Sequence, residues 1–170
     1  MSTETQNPLR DFALKTFAGI KSSSEQDFKS RHGLLLKSGI ALDCAVIKLL
    51  KSHWTTSPMS VVRNQNGIFF SVWLEQKKPA VPLLRYNVHA KKFRDAGHPK
   101  IAAREFAGSF RQAARNQLKS WPANHYPKGP GTLFEGHVPF IEETLAADTL
   151  RLMQAFSPLA LLIDRLLLQG

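Results

Sequence analysis

The spacing of apolar residues changes along this chain from the period of a helix to the period of a strand. Within residues 83–94, positions 84–91 alternate, with apolar side chains on one face and polar or basic ones on the other. This period of two is typical of a strand with one buried face. Residues 68–74 are apolar on both faces, which indicates a central strand. Asn66-Gly67 predicts a hairpin turn between strands at 59–63 and 68–76.

Both ends of the chain have helical spacing. Asn7-Pro8 is an N-cap followed by proline at the first helical position, and it predicts a short helix ending near the serines at 22–24. A second helix is predicted from Ser24, because apolar residues recur at spacings of seven, four and three between positions 28 and 49. Gly33 predicts a kink or a split in it.

The C-terminal half is predicted to contain one more strand and three helices. A helix is expected at 100–118, a proline- and glycine-rich loop at 121–131 and a strand at 132–138. Helices at 141–155 and 157–168 complete the chain. The last helix is apolar around most of its axis, so it must be buried inside the domain or against a second subunit.

Together these elements predict one α+β domain spanning residues 1–170, with residues 1–6 frayed. The expected sheet is small and mostly antiparallel, with three to four strands. It consists of the central hairpin 59–76 and the strand 83–94, packed against N-terminal and C-terminal helices.

The positive charge is concentrated in one third of the chain. Residues 77–128 contain twelve Lys and Arg against two acids, Asp95 and Glu105, and this excess equals the net charge of +10 of the whole protein. The remaining residues carry eleven charges of each sign. Such an asymmetry indicates a polyanionic partner, although a basic helix face can also be merely a solvated face.

The helical period gathers several of these cations. At 100° per residue, the cations between positions 100 and 119 fall within about 100° of one another, and the phenylalanines lie on another side. Strand 83–94, helix 100–118 and loop 119–131 are therefore predicted to form one anion-binding surface. Its predicted residues are Arg85, His89, Lys91, Lys92, Arg94, Lys100, Arg104, Arg111, Arg115, Lys119, Trp121, Tyr126 and Lys128.

Trp121 and Tyr126 allow two interpretations. They can stack on nucleic-acid bases while the cations hold phosphates, or they can anchor the proline-rich loop to the core. Phosphate contacts carry no sequence information, so the pattern does not distinguish DNA from RNA.

One short string resembles an enzyme signature. Glu75-Gln76-Lys77, at the end of an apolar strand, resembles the (D/E)xK half-motif of the restriction-endonuclease-like nucleases. The resemblance implies that Glu75 holds a divalent metal and that Lys77 positions the attacking water. The family also needs a second acid on the preceding hairpin, yet no Asp or Glu lies between Asp43 and Glu75.

Other site classes are unsupported. Cys44 is the only cysteine, and the six histidines lack zinc-ligand spacing. No catalytic residue, metal ligand or cofactor site is assigned. We find no secretory signal, and the apolar run 156–168 is too short to span a membrane, so a cytoplasmic protein without membrane insertion is expected.

The sequence therefore favours a non-catalytic intracellular protein that binds nucleic acid or another polyanion through residues 83–128. A homodimeric interaction module joined through 157–168 is the first alternative. A divalent-metal-dependent nuclease using Glu75-Gln76-Lys77 is the second.

Overall fold

The computed structural model describes residues 6–56, 62, 66–77 and 80–170. Within them, six strands form one sheet in the order β1-β2-β3-β4-β6-β5, and every neighbouring pair is antiparallel. The elements in chain order are α1 (Pro8–His32), β1 (Leu35–Ala41), β2 (Cys44–Leu50), β3 (Gly67–Glu75), β4 (Leu83–Lys91), α2 (Ala103–Ala113), α3 (Arg115–Lys119), β5 (Tyr126–Lys128), β6 (Thr132–Pro139) and α4 (Leu145–Leu168). This confirms an antiparallel α+β fold with helices at both ends, although the sheet has more strands than predicted.

The N-terminal helix is longer than predicted and does not stop at the serines. Asn7 caps its start by accepting a hydrogen bond from the Arg10 amide at 3.0 Å. The Ser23 hydroxyl donates back to the Ile20 carbonyl at 3.3 Å, so this serine is accommodated inside α1. The helix ends at Gly33, whose φ of 66° is the left-handed conformation that favours glycine.

Residues 35–50 form a hairpin, so the helix predicted there is wrong beyond His32. Strands β1 and β2 are joined by a turn in which Leu42 and Asp43 both have positive φ. Cross-strand pairs such as Leu36 with Leu49 and Ile40 with Ala45 lie on one face of the sheet. The apolar residues from Phe28 onward therefore belong to the last turn of α1 and to two strands, and their spacing only resembled that of a single helix.

The strands predicted at 68–76, 83–94 and 132–138 are confirmed. β3 is buried along most of its length, and β4 alternates as expected until Lys92, whose φ of 54° ends the strand. β6 matches the strand predicted at 132–138. The first strand of the predicted hairpin, 59–63, lies outside the described residues except for Val62.

All the long helices pack against the same side of the sheet, which we call the helical face. α1 covers β1 and β2, α4 lies between α1 and α2, and α2 covers β4 and β6. Ring stacking joins the layers, with Phe70 4.7 Å from Phe156 and Phe110 6.2 Å from Phe134, measured between ring centres. The other side of the sheet, on which none of these helices packs, is called the open face, although Phe69, Ser71 and His89 on it are buried.

The C-terminal segment is one helix rather than the two predicted. Pro158 lies inside α4, and the Ser157 hydroxyl donates to the Met153 carbonyl at 3.0 Å instead of capping a new helix. Leu159 and Ile163 are buried in the core, and this packing holds the helix together across the proline. Most of the apolar surface of α4 is therefore buried against the rest of the domain.

Asp164 fixes the last turns of α4 to the end of β2. Its carboxylate accepts hydrogen bonds at 2.8 Å from Trp54 Nε1 and from His53 Nε2, and it forms an ion pair with Lys51. Burial by itself would raise the pKa of Asp164, but these hydrogen bonds lower it below its usual value. Among the described residues, no helix has the length and apolar content needed to cross a membrane.

Candidate functional site

The cations of α2 and α3 lie along one exposed side of a nearly continuous helix. The Leu118 amide donates to the Ala114 carbonyl at 2.9 Å, which joins the two helices end to end. Phe106 and Phe110 are buried on the opposite side. The amphipathic helix predicted at 100–118 is therefore confirmed, beginning three residues later. Its exposed cations are Arg104, Arg115 and Lys119.

Arg111 is a cation held in a fixed position. Its guanidinium donates three hydrogen bonds to backbone carbonyls, at 3.1 Å to Leu133, 2.9 Å to Thr132 and 2.5 Å to Gly129. These bonds attach the β5–β6 turn to α2. Neutral carbonyls leave the charge of the guanidinium uncompensated, so Arg111 still contributes to the local potential.

The segment between β4 and α2 brings three more cations next to this helix. Phe93 is buried and packs against Phe106 with ring centres 5.0 Å apart. This contact fixes the segment beside the start of α2. Lys92, Arg94 and Lys100 are all exposed.

These side chains define the basic surface: Lys92, Arg94, Lys100, Arg104, Arg111, Arg115 and Lys119. Among the described residues, no ion pair joins any of them to an acid. Other cations of the chain do pair; Lys128, for example, lies 3.1 Å from the Glu135 carboxylate. Two exposed acids, Asp95 and Glu105, lie in the same segments, but within the described residues neither forms an ion pair with these cations.

A depression of about 470 Å³ lies in the middle of this surface, between turns of α2 and α3. Arg111 and Arg115 line it together with Gly108, Gln112 and Asn116. It contains no acidic side chain, and the amides of Gln112 and Asn116 can donate hydrogen bonds to an anion.

The structure does not bring Arg85 and His89 onto the basic surface, in contrast to the sequence prediction. α2 packs against the apolar side of β4, so the polar side of β4 belongs to the open face. Arg85 forms an ion pair with Glu75 there, and His89 is only 5% exposed. The predicted residues are thus divided between opposite sides of the sheet.

The remaining predicted residues lie around β5 and the end of β4. Trp121 donates its Nε1 hydrogen to Tyr86 Oη at 3.0 Å and packs against Phe134, with ring centres 5.0 Å apart. This packing matches the loop-anchor interpretation. Tyr126 is 43% exposed. Lys91 is half-buried, and its aliphatic stem lies against Gly131.

The nuclease-like sequence Glu75-Gln76-Lys77 lies at the end of β3, and its charged side chains form ion pairs. Burial alone would raise the pKa of Glu75, yet hydrogen bonds from Arg85 and Lys77 lower it below its usual range. Asp43 lies in the β1–β2 turn and lines the same cavity as Glu75. In the described part of the chain, no cluster of three or more His, Cys, Asp or Glu side chains is arranged to hold a metal ion.

A second site, which the sequence analysis missed, is a cavity of about 570 Å³ on the open face. Its floor consists of β2, β3 and β4, and Lys48 lies in it at 5% exposure. One sequence signal was present: Lys48 is the only charged residue in the apolar strand β2. Lysine side chains are rarely buried to this extent.

No protein-family model matches this chain, and neither a curated protein nor a solved structure matches it. The function is therefore inferred from the geometry described above.

Proposed function

We propose that this protein binds nucleic acid through the basic surface. The observation that carries the proposal is the row of exposed cations on α2 and α3, none of which forms an ion pair with an acid of the described residues. Arg104 and Lys119 are fifteen residues apart, about 22 Å along a helix, so the row matches the reach of several successive phosphates.

The composition of the surface favours nucleic acid over a membrane or a protein partner. The exposed residues between the cations of α2 and α3 are small or polar, such as Gly108, Gln112 and Asn116. The large exposed apolar residues of the described chain lie elsewhere. Membrane insertion and most tight protein interfaces require apolar or aromatic anchors, and this surface offers none.

Arg111 adds preorganisation. Because three carbonyls hold its guanidinium, this cation loses little conformational freedom when a phosphate approaches. The depression beside it has a volume of about 470 Å³ and is lined by the amide side chains of Gln112 and Asn116, which can donate to an anion. We therefore place the centre of the interface between Arg111 and Arg115.

The test compares two double charge reversals with equal change in net charge. Arg104→Glu/Arg115→Glu alters the basic surface, whereas Lys15→Glu/Lys29→Glu alters exposed positions of α1, on the far side of α4. Binding to a fluorescent duplex and to a single strand is followed by anisotropy over a range of salt concentrations.

If the seven cations each neutralise one phosphate, the slope of log affinity against log salt is about −6 for the unaltered protein on duplex DNA. The Arg104/Arg115 variant should reduce that slope to about −4 and weaken binding by tenfold or more. The α1 variant should differ little. Equal losses in both variants would indicate only a response to net charge and would refute the assigned surface.

The homodimer alternative needs exposed apolar surface on 157–168, and less of it is exposed than the sequence suggested. Of the large apolar residues in 157–168, only Leu161 and Leu168 are strongly exposed, at 55% and 87%. It remains a prediction, which a solution mass measurement checks.

A further inference from the structure

The open-face cavity has the dimensions of a small-molecule site and lies on the opposite side of the sheet from the basic surface. Its volume of about 570 Å³ falls within the range of ligand pockets. Strands β2, β3 and β4 form its floor, and the β1–β2 turn and the first turn of α1 also line it. The site is therefore separate from the proposed nucleic-acid interface.

The register of the strands divides the floor into a polar row and an apolar row. Lys48, Ser71 and Asn87 are direct cross-strand neighbours, so their Cβ atoms are about 5 Å apart from one strand to the next. Two residues further along, Val46 lies beside Trp73, and the next neighbour, Arg85, is paired with Glu75 and does not line the cavity. A molecule on this floor meets hydrogen-bonding groups at one end and an aliphatic and an aromatic side chain at the other.

Two groups of the polar row are buried without a hydrogen-bond partner. Ser71 is 4% exposed, and within the described part of the chain neither its Oγ nor the buried Oδ1 of Asn87 makes a hydrogen bond. A buried polar atom left unsatisfied costs stability, and native structures contain few of them. Both residues line the cavity, so a bound molecule can satisfy both atoms.

The polar row also carries a buried positive charge. The Lys48 Nζ lies 4.0 Å from the centre of the Phe69 ring, and the His89 ring stacks on Phe69 at 4.4 Å. Burial lowers the pKa of Lys48 to about 8, which still leaves most of the side chain charged at pH 7. The acids that line the cavity, Asp43 and Glu75, lie toward the β1–β2 turn and the end of β3.

We propose that the open-face cavity binds a small carboxylic acid that carries an apolar body and a hydroxyl group next to the carboxylate. The carboxylate pairs with the Lys48 ammonium. The hydroxyl donates to Asn87 Oδ1, and Ser71 Oγ donates to the carboxylate. The apolar body lies against Trp73 and Val46.

The test uses 3-phenyllactate as the probe, with 3-phenyllactamide as its uncharged analogue and 3-phenylpropionate as the analogue without the hydroxyl. Cys44 is the only cysteine of the chain and lines the cavity, so its alkylation by iodoacetamide reports occupancy. Burial and the nearby carboxylates raise the pKa of the Cys44 thiol, so the reaction is run at mildly alkaline pH.

We expect 3-phenyllactate to slow Cys44 alkylation in a saturable way at concentrations up to about 10 mM, with the amide at least about tenfold weaker. Lys48→Met should abolish this protection. Lys37→Met is the matched control, because Lys37 is the cross-strand neighbour of Lys48 on β1 but does not line the cavity.

Asn87→Leu provides a second test that does not depend on the charge. It should weaken 3-phenyllactate about tenfold while leaving 3-phenylpropionate within about twofold, because only the former loses a hydrogen bond. The proposal is overturned if neither acid protects Cys44, if the amide protects as well as the acid, or if Lys37→Met removes protection as completely as Lys48→Met. Should Lys48→Met fail to fold, the Asn87→Leu comparison and the amide decide the question.

Discussion

Replacing Lys48 by methionine should stabilise the protein at neutral pH. The lysine is 5% exposed, and burial lowers its pKa from 10.5 to about 8. At about 1.4 kcal/mol per pH unit, keeping the ammonium charged costs the folded state about 3 kcal/mol. The contact with the Phe69 ring returns about 1 kcal/mol of this and is lost in the variant. The expected gain in unfolding free energy is therefore at most about 2 kcal/mol, because every other contact of the ammonium group is lost as well.

The gain in unfolding free energy should decrease as the pH rises. Below pH 8 the lysine is charged in both the folded and the unfolded chain, so its penalty is constant. Between pH 8 and about 10.5 the unfolded chain binds more protons, so wild-type stability rises with pH relative to the variant. Above that range the lysine is neutral in both states and the advantage of methionine disappears.

Urea unfolding followed by tryptophan fluorescence at pH 7, 9 and 10.5 measures this difference. The other charged or titratable groups that line the cavity are Arg10, Asp43, Glu75, Lys77 and His89, and Lys37 is the neighbour of Lys48 on β1. All six are present in both proteins, so only their interactions with Lys48 differ between the two. Lys37→Met should change stability by less than about 0.5 kcal/mol. A Lys48→Met variant that is less stable at pH 7, or a difference that stays constant up to pH 10.5, would refute the buried-charge argument.

Three further predictions concern stability. Asp164→Asn should reduce, but not abolish, the loss of stability that the wild type shows as pH falls below about 4, because hydrogen bonds keep the folded pKa of this carboxyl below its ordinary 3.8 and Glu75 contributes in the same way; urea unfolding at acidic pH checks it. Gly136→Ala should cost about 3 kcal/mol, since an added Cβ would collide with the Tyr86 hydroxyl, whereas Gly108→Ala points into open space and should gain about 1 kcal/mol; thermal unfolding compares the two. Arg111→Met should cost about 2 kcal/mol by releasing three backbone carbonyls, which amide hydrogen exchange near 129–133 would detect.

The strands with a clear two-residue period could be predicted from the sequence, and the hairpin at 35–50 could not. In β1, Ser38 and Gly39 interrupt the apolar alternation, so the seven-, four- and three-residue spacings also fit a helix. The turn at Leu42-Asp43 lacks glycine although both residues have positive φ. Pairing with β3, a tertiary interaction, therefore outweighed the local pattern.

The row of cations on α2 could be predicted because helical geometry alone places residues four and seven apart on one side. The prediction that this row and the polar side of β4 form one surface was wrong. The sequence pattern already contained the reason. An amphipathic helix packs on the apolar side of a neighbouring strand, so the polar side must face away from it. Arg85 and Arg104 were therefore bound to lie on different sides of the sheet.

The open-face cavity could not be predicted from the sequence, because its floor depends on how the strands pair. Lys48, Ser71 and Asn87 are separated by more than fifteen residues at each step, and only the pairing of β2 with β3 and of β3 with β4 makes them neighbours. A lysine within an apolar strand was the one local signal, and it did not identify the partners.

The two borders of the sheet differ in a way that limits self-association. On one side, β5 has three residues and contains Pro127, which has no amide hydrogen to offer an incoming strand. On the other side, β1 has seven residues, and it is the border strand of the described sheet. Continuous growth of a fibre by strand addition needs two receptive borders on each molecule. With one border closed, such growth would end once two copies had met through β1.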